Sequence, residues 1–391
     1  MSDSAREFDV VVYGASGFTG QLVAEYMHER YPQGELRWAL GGRNADKLAA
    51  VVAESGLPAD TPVVIADTGD AAALAAMAAN TRVVLTTVGP YQLYGSSLVE
   101  ACVNAGTDYV DLCGEPNWMR AMIDQHDATA KQSGARIVFS CGFDSIPSDL
   151  GVYRLQQLAK QKTGEVISAV KGRVRALQGG VSGGTVASMH ATMAAAEKDP
   201  SVGELFLNPF SLTPGFAGPA QPNGGAPCYD EDIDSWASPF VMAGINAPNV
   251  HRSSRLLGGF YGDNFTYSEM ISTGPGEQGE ALANDMPDLF FGGGGDMPQP
   301  GEGPSREQQE AGHYEMAFFG EAVNGERMTV VVSGDRDPGY GSTSRMIAEC
   351  AVSLALDELP VNGGLLTPAA AFGDRIIERL SANAGMAFVE E

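Results

Sequence analysis

Cysteine, basic side chains and long apolar runs are all scarce in this sequence of 391 residues. The five cysteines form no CxxC pair, which predicts reduced thiols in a cytoplasmic protein and no metal site. No run approaches the ~18 apolar residues of a membrane-spanning helix, so we expect no transmembrane segment. Charged side chains at Asp3, Arg6, Glu7 and Asp9 interrupt the first residues, so we also expect no secretory leader.

The charge balance is strongly acidic. The 24 Lys and Arg residues face 49 Asp and Glu residues, and the formal net charge is −25. A surface this negative repels phosphate backbones, so we expect no nucleic acid partner. A phosphorylated cofactor would need basic side chains placed locally beside it.

One glycine-rich stretch organises the chain. The β-branched run at residues 10–13 is followed by Gly14, Gly17 and Gly20, and then by apolar residues at helical spacing. This pattern predicts a strand, a tight turn and a helix whose free N–H groups attract a pyrophosphate. The spacing GxxGxxG is a variant of the dinucleotide-binding fingerprint, so the sequence predicts a dinucleotide site here.

The first 150 residues alternate strand and helix patterns, which predicts a Rossmann-type doubly wound parallel sheet with strand order 3-2-1-4-5-6. Residues 1–150 are therefore expected to form an NAD(P)-binding domain, with helices of residues 340–391 packing back onto it. Residues 151–339 are expected to form an α+β domain for substrate binding or dimerisation. Alternating Lys171, Arg173 and Arg175 predict an antiparallel strand with one solvated side. Residues 313–323 and 327–333 predict a hairpin turning at Asn324-Gly325.

The end of the second strand indicates which nucleotide is bound. NAD sites usually carry an acidic side chain there, whereas this chain has Gly41-Gly42-Arg43-Asn44. Arg43 can bind a 2′-phosphate, so we expect NADP rather than NAD; the alternative is a solvated arginine. Asp67 either accepts from the adenine amino group or starts a loop. The cofactor-binding candidates are Gly14, Ser16, Gly17, Phe18, Thr19, Gly20, Arg43, Asn44, Asp67, Val88, Gly89 and Pro90.

Four side chains that follow the later strands are candidate catalytic groups. Tyr91 and Tyr94 are candidate proton donors or a wall for the nicotinamide, and packing is the alternative. Glu115 and Asp144 are candidate acid/base groups if burial tunes their pKa. Capping of the next helix is the alternative for Asp144.

A competing signal is Gly180-Val181-Ser182-Gly183-Gly184, which satisfies the GxSxG pattern of a serine hydrolase. The preceding strand is basic, whereas a nucleophile elbow follows a buried parallel strand. Ser182 to Thr185 is therefore expected to form a helix entrance that faces the cofactor, and His190 is expected to be non-catalytic.

Several of these strings resemble a known family. Residues 12–20, 42–44, 88–95, 111–115 and 141–151 are similar to the saccharopine dehydrogenase-like oxidoreductases, and most similar to their bacterial trans-acting enoyl reductase branch. Residues 183–185 and 334–340 match that branch too. The resemblance implies NAD(P)-dependent reduction of polyketide or lipid intermediates, presented by a carrier protein or synthase. It also implies a nucleotide-binding domain followed by an α+β domain.

Three functions stay open at this point. The first is NADP-dependent reduction of an activated double bond in an acyl or lipid-like substrate. The second is a saccharopine-type amino-acid oxidoreductase, and the third a non-catalytic nucleotide-binding, lipid-associated protein. We expect a homodimer as one possible assembly. We also expect irregular chain in the aromatic, Pro- and Gly-rich segments at residues 205–216 and 285–305, and an apolar substrate that enters between the domains beneath them. The alternative is that these aromatic side chains simply pack onto the second domain.

Overall fold

Two seven-stranded sheets form the frame of the molecule. The computed structural model describes residues 6–32, 34–180, 182–291, 298–299 and 301–391, and only the backbone of residues 287–291. The strands are β1 (Phe8–Tyr13), β2 (Trp38–Gly42), β3 (Val63–Ile65), β4 (Thr81–Thr86), β5 (Asp108–Val110), β6 (Arg136–Val138), β7 (Ala169–Gln178), β8 (Cys228–Asp230), β9 (Ser235–Pro239), β10 (Thr266–Gly274), β11 (His313–Glu321), β12 (Arg327–Gly334), β13 (Gly364–Leu366) and β14 (Met386–Glu390).

Helices surround both sheets, and none among the described residues is long and apolar enough to cross a membrane. They are α1 (Phe18–Arg30), α2 (Ala45–Glu54), α3 (Ala71–Ala79), α4 (Tyr91–Tyr94), α5 (Ser96–Ala105), α6 (Pro116–Ser133), α7 (Ile146–Thr163), α8 (Gly183–Lys198), α9 (Pro200–Leu207), α10 (Ala243–Leu256), α11 (Gly276–Phe291), α12 (Arg306–Ala311), α13 (Thr343–Leu356), α14 (Pro368–Phe372) and α15 (Asp374–Asn383). A short π-helical turn, Pro338–Ser342, precedes α13.

The first sheet is entirely parallel, in the order β13-β6-β5-β4-β1-β2-β3. This confirms the Rossmann-type fold and its order 3-2-1-4-5-6. The sheet has one more strand than predicted, because β13 adds to the edge at β6. Strand β1 is a continuous apolar run, with Val10, Val11 and Val12 fully buried, as expected of a strand covered on both sides.

Local signals set the helix boundaries in this layer. Asn44 and Asp70 cap α2 and α3, and their side chains accept from Lys47 N at 2.9 Å and Ala72 N at 3.0 Å. Asn and Asp favour this position because their oxygens satisfy free N–H groups. Helices α5 and α6 end at Gly106 and Gly134, whose φ values of 64° and 84° suit glycine.

The second sheet is mixed, in the order β14-β12-β11-β7-β10-β9-β8. Its central strand β7 is antiparallel to β11, as predicted, but parallel to β10. The expectation of a solvated basic side was wrong for Arg173, which is 3% exposed and pairs with Asp230 at 2.7 Å. The sequence pattern did not reveal this partner, which lies 57 residues away.

The hairpin prediction is confirmed. Strands β11 and β12 pair antiparallel up to Glu321 and Arg327, and the connection turns at Asn324-Gly325. Gly325 has a φ of 80°, a conformation that glycine adopts without a steric cost.

The expectation of irregular chain at residues 205–216 and 285–305 was partly wrong. Leu205 to Leu207 belong to α9, and α11 extends to Phe291. Phe210 packs on His251 of α10 with ring centroids 4.6 Å apart and on Phe216 at 5.5 Å. Phe210 and Phe216 therefore pack against the body of the protein, and the substrate entry beneath these segments stays a prediction. Residues 292–297 and 300, and the Phe290 and Phe291 side chains, lie outside the described residues.

The C-terminal segment contributes to both sheets. β13 extends the parallel sheet, whereas β14 pairs with β12 of the mixed sheet. Glu349 of α13 is fully buried and accepts from the hydroxyls of Tyr26 and Tyr31 at 2.7 and 2.6 Å. Arg379 of α15 donates to the other Glu349 oxygen at 3.3 Å. This group fastens α13 and α15 to α1, and hence to the glycine turn.

Candidate active site

The loops that follow β1, β2, β3, β4, β5 and β6 lie at one edge of the parallel sheet, since parallel strands all end at the same edge. Ligands of open α/β sheets bind at this carboxyl edge. All sixteen candidate residues predicted from the sequence belong to the strand ends, loops or first helical turns there. The structure therefore brings these residues to one edge of the sheet, but their contacts there differ.

The glycine turn fits a pyrophosphate. Gly14 has a φ of 92°, and a Cβ on it would lie 2.7 Å from Val88 Cγ2. Gly20 packs so closely on the turn that a Cβ would collide with the Gly14 carbonyl. Gly17, in contrast, is exposed, and a Cβ there would meet only the Gly14 oxygen at 3.3 Å. The space in front of it is open.

The N-terminus of α1 is free to receive an anion. Gly17 is its N-cap, no side chain caps the helix, and its first turn contains no acidic residue. The N–H groups of Phe18, Thr19 and Gly20 have no partner within the helix. Free N–H groups and the helix dipole favour a phosphate at this point, so the residues present fit a dinucleotide.

The loop after β2 presents a cation. Arg43 is exposed, and no ion pair of it is found in the described part of the chain. Asn44 caps α2, so its Oδ1 is already bonded to Lys47 N. Asp67 Oδ1 accepts from Gly69 N at 2.8 Å. Arg43 is thus the member of this group whose charge is available to a phosphate.

Arg43→Ala should weaken NADPH binding roughly 10- to 150-fold, because a charge-assisted hydrogen bond contributes about 1.5–3 kcal/mol. NADH lacks the 2′-phosphate, so its affinity should hardly change. Both dissociation constants can be measured by titration calorimetry. Lys47→Ala removes an equally exposed cation from the next helix and serves as control. Equal losses for NADPH and NADH in the Arg43 variant would assign a structural role to this arginine.

Tyr91 and Glu115 hold the loop after β4 in place. Glu115 is 1% exposed, and its two oxygens accept from Tyr91 N at 2.9 Å and Gln92 N at 2.8 Å. The Tyr91 hydroxyl accepts from Leu112 N at 3.0 Å, and burial raises its pKa well above the usual value. These contacts give both side chains a structural role and leave neither facing open space.

Tyr94 and Asp144 differ from that pair. Tyr94 is 44% exposed, at the end of α4. Asp144 lies in the loop between β6 and α7, and a methyl group on Gly114 would be 3.6 Å from its Oδ2. Burial, reinforced by the charge of Glu269, raises the pKa of Asp144 to about 7. A carboxyl group with this pKa exchanges protons near neutral pH.

Tyr340 is a central side chain that sequence reasoning missed as a site residue. Its ring contacts Phe18 of the glycine turn, with centroids 5.3 Å apart. Its hydroxyl accepts from Ser182 N at 2.5 Å and lies 2.8 Å from Thr185 Oγ1. Burial raises the pKa of Tyr340, so the phenol stays protonated at neutral pH. A neutral hydroxyl is thereby held beside the cofactor turn.

The local sequence explains how Tyr340 is positioned. Asp337 is fully buried and accepts from Tyr340 N at 3.1 Å and Gly341 N at 2.6 Å. Pro338 follows it at the first helical position, a combination that starts helices. The pair Asp337-Pro338 is therefore the local sequence signal for the start of the helical turn that carries Tyr340. It lies within residues 334–340, which also carry the family resemblance.

Ser182 caps α8. Its hydroxyl accepts from Thr185 N at 3.5 Å and its N–H donates to Tyr340. The helix start predicted at Ser182 to Thr185 is thus present. Ser182 of the GxSxG pattern acts as the cap of α8 and not as the nucleophile of a hydrolase. Residues 301–306 connect α8 to α1. Gly183 N at the start of α8 donates to the backbone carbonyl of Glu302 at 3.1 Å, and Arg306 pairs with Glu25 of α1.

A cavity of about 700 Å³ opens beside the turn, lined by Phe18 and Leu22 of α1 and by parts of residues 298–309. No group of three or more His, Cys, Asp or Glu that could hold a metal occurs within the described ranges.

Fold and site together define a dinucleotide-dependent oxidoreductase. Residues 10–138 match the family model of the saccharopine dehydrogenase NADP-binding domain, which confirms NADP as the predicted cofactor. A provisionally named trans-acting enoyl reductase of Mycobacterium tuberculosis (strain H37Rv) is 40% identical over 98% of this chain and 97% of its own. A trans-acting enoyl reductase of Mycobacterium ulcerans is 37% identical over 97% of both chains. The protein belongs to the trans-acting enoyl reductase branch of the saccharopine dehydrogenase-like oxidoreductases.

Solved structures support the fold. The saccharopine dehydrogenase (L-Glu forming) of Saccharomyces cerevisiae aligns over 98% of this chain and 99% of its own, with a TM-score of 0.55 and 13% identity. A Legionella pneumophila homospermidine synthase in complex with NAD aligns over 99% and 93%, with a TM-score of 0.53 and 10% identity. At these identities the likeness concerns the fold alone.

Proposed function

We propose that the protein reduces the carbon–carbon double bond of an α,β-unsaturated acyl thioester with NADPH. The observation that carries this proposal is the Tyr340 hydroxyl, held between Ser182 N and Thr185 Oγ1 while its ring contacts Phe18. Such a reduction adds a hydride to the β-carbon and a proton to the α-carbon, so it needs a protonated group beside the nicotinamide. The names of the 37–40% identical relatives support the same reaction.

The chain's residues divide the work as follows. Gly14, Ser16, Gly17, Phe18, Thr19 and Gly20 would hold the pyrophosphate, Arg43 with Asn44 the 2′-phosphate, Asp67 the adenine, and Val88, Gly89 and Pro90 the nicotinamide. When bound, NADPH supplies the hydride. Tyr340 donates the proton, and Ser182 N stabilises the charge that the tyrosine oxygen then carries. Tyr91 and Glu115 support the loop and are not part of our proposed proton path.

The saccharopine-type alternative requires cations that hold substrate carboxylates. Arg173 and Lys171 are engaged by Asp230, both at 2.7 Å, and Arg175 by Glu391 at 2.7 Å. Paired in this way, these cations do not favour an amino-acid substrate, and we do not propose one.

The proposed reaction is tested by mixing the purified protein with NADPH deuterated at the transferred position and trans-2-octenoyl-coenzyme A. We expect consumption of NADPH and a saturated thioester that carries deuterium at its β-carbon by mass spectrometry. Oxidation of NADPH only with 2-oxo acids and amines would instead indicate the amino-acid reaction. Binding of NADPH without turnover of any enoyl thioester would indicate a non-catalytic protein.

Asp144 should give the reaction its pH dependence. Because the pKa of Asp144 is raised to about 7, the group is neutral below pH 7 and negative above it. Besides burial, the negative charge of Asp144 helps to raise the pKa of Tyr340 and so opposes proton release from the phenol; kcat/KM should therefore fall as the pH rises through about 7. Asp144→Asn should abolish this inflection.

Asp149→Asn is the matched control for that pH profile. Asp149 has a pKa raised to about 7 by burial as well, but it bonds Ser253 and Ala369 N outside the site. Its variant should keep the inflection. An unchanged profile in Asp144→Asn would show that the charge of Asp144 does not control proton release from Tyr340.

We further propose that residues 1–150 bind the nucleotide and 151–339 the substrate, with residues 340–391 returning to the first part. Four of the five cysteines are buried and all are free thiols, which supports a cytoplasmic location. The acyl substrate would be presented by a carrier protein or synthase. Homodimerisation stays a prediction.

A further inference from the structure

Helix α8 is unusually open to solvent for an element that begins at the candidate site. Among its 16 residues only Gly183 and Val186 are buried. Met189 and Met193 are 40% and 58% exposed. No charged residue occurs from Gly183 to Ala196, although the whole chain has a net charge of −25. An uncharged, exposed helix face in such an acidic protein suits an apolar ligand better than a charged partner.

The two methionines lie on one stripe with Thr185. Residues four apart occupy the same side of a helix, and Thr185, Met189 and Met193 follow one another at this spacing. Thr185 Oγ1 lies 2.8 Å from the Tyr340 hydroxyl. The stripe therefore starts at the proposed proton donor and extends outward for two turns.

Contacts on both sides locate this stripe relative to the loop after β4. On one flank, Thr192 Oγ1 accepts from Gln92 Nε2 at 3.2 Å, and Ser188 Oγ lies 3.4 Å from where a Cβ on Gly89 would be. On the other flank, Val186 is buried. Since helical residues are about 100° apart, Met189 and Met193 lie between these two contacting edges. Their exposed side is therefore next to the loop after β4, whose residues Val88 to Pro90 are cofactor-binding candidates.

We infer that the stripe Thr185–Met189–Met193 binds the acyl chain of the enoyl substrate, an inference that rests on the proposed function. From Thr185 to Met193 the helix rises about 12 Å, the length of roughly ten methylene groups. Methionine is flexible and polarizable, so it accommodates chains of differing shape. Three side chains are far fewer than the roughly 20–30 residues a side of a specific protein interface, so the stripe suits a single chain of methylene groups better than a protein partner.

The test uses trans-2-enoyl thioesters of coenzyme A with 4 to 16 acyl carbons. For the unaltered protein, kcat/KM should rise about two- to fourfold per added methylene and level off near 12 carbons, where the chain passes Met193. Met193→Ser should lower the ratio of kcat/KM for the 12-carbon to the 4-carbon substrate roughly tenfold. Val323→Ser, which removes a 70% exposed apolar side chain from the β11–β12 turn, should leave this ratio unchanged.

Equilibrium binding keeps the inference separate from the proposed reaction. Saturated butyryl- and dodecanoyl-coenzyme A are titrated calorimetrically, and Met193→Ser should reduce the ratio of their affinities by a similar factor. A reduced affinity ratio in a protein that turns over no enoyl thioester would support the acyl site and overturn the reaction. A flat chain-length series, or an unchanged ratio in Met193→Ser, would overturn the acyl site. So would a change confined to concentration-dependent self-association, which would assign the stripe to a second copy of the chain.

Discussion

Gly17→Val is expected to abolish NADPH binding in a protein that still folds. Gly17 has φ −85° and ψ 165°, an extended conformation that valine adopts readily. Its side chain would fill the space in front of the Phe18, Thr19 and Gly20 N–H groups. Losing two phosphate hydrogen bonds of about 1.5–3 kcal/mol each corresponds to a roughly 10²- to 10⁴-fold higher Kd. Titration calorimetry measures the Kd, and the Tm reports folding.

Two other glycines sharpen this test. Gly203→Val places the same side chain on α9, where a Cβ meets nothing within 4 Å, and should leave NADPH affinity unchanged. Gly20→Val would collide with the Gly14 carbonyl, so it should lower the Tm as well. If folded Gly17→Val bound NADPH normally, the pyrophosphate would have to be bound elsewhere.

Tyr340→Phe should lower kcat by roughly 10²- to 10⁴-fold, the usual contribution of a positioned proton donor. The ring contact with Phe18 is retained in this variant, so the Kd for NADPH should change less than about threefold. Steady-state kinetics with trans-2-octenoyl-coenzyme A, together with cofactor titration, separate the two quantities. A merely structural hydroxyl would change the Tm without this selective loss in kcat.

Tyr314→Phe is the matched control. Its hydroxyl lies 3.1 Å from Ser342 Oγ at the end of the same π-helical turn and is equally buried. This variant should lose stability by about 1 kcal/mol with kcat within a few-fold of the original. Similar losses of kcat in both variants would show that the turn, and not the Tyr340 hydroxyl, controls the rate.

The predictions for Gly17 and Tyr340 concern two parts of the site that touch each other. Phe18 begins α1 at the pyrophosphate turn, and its ring meets Tyr340. Glu349 accepts from Tyr26 of α1 and from Tyr31, the residue after that helix, and so attaches α13, which follows Tyr340, to α1. The cofactor turn and the proposed proton donor are thus attached to the same helix, which keeps their separation constant, as a reaction between a bound nucleotide and a positioned acid requires.

The sequence alone determined the features that depend on neighbouring residues. Glycines spaced three apart after an apolar strand predicted the cofactor turn, and Gly41 to Asn44 predicted NADP. Asn324-Gly325 predicted the hairpin. Each signal works within a few residues, because caps, turns and side-chain periodicity are short-range effects.

Only the tertiary structure decided which distant side chains contact one another. The Tyr340 hydroxyl accepts from Ser182 N, which is 158 residues away in the sequence. No local sequence pattern predicts a contact between residues so far apart. Only the structure shows that the two oxygens of Glu115, a predicted acid/base candidate, accept hydrogen bonds from the backbone of α4. Arg173 was predicted to be solvated, but it is buried and paired with Asp230. A buried charge is stable only with its partner, and the partner's location is a property of the fold, not of the residues beside it.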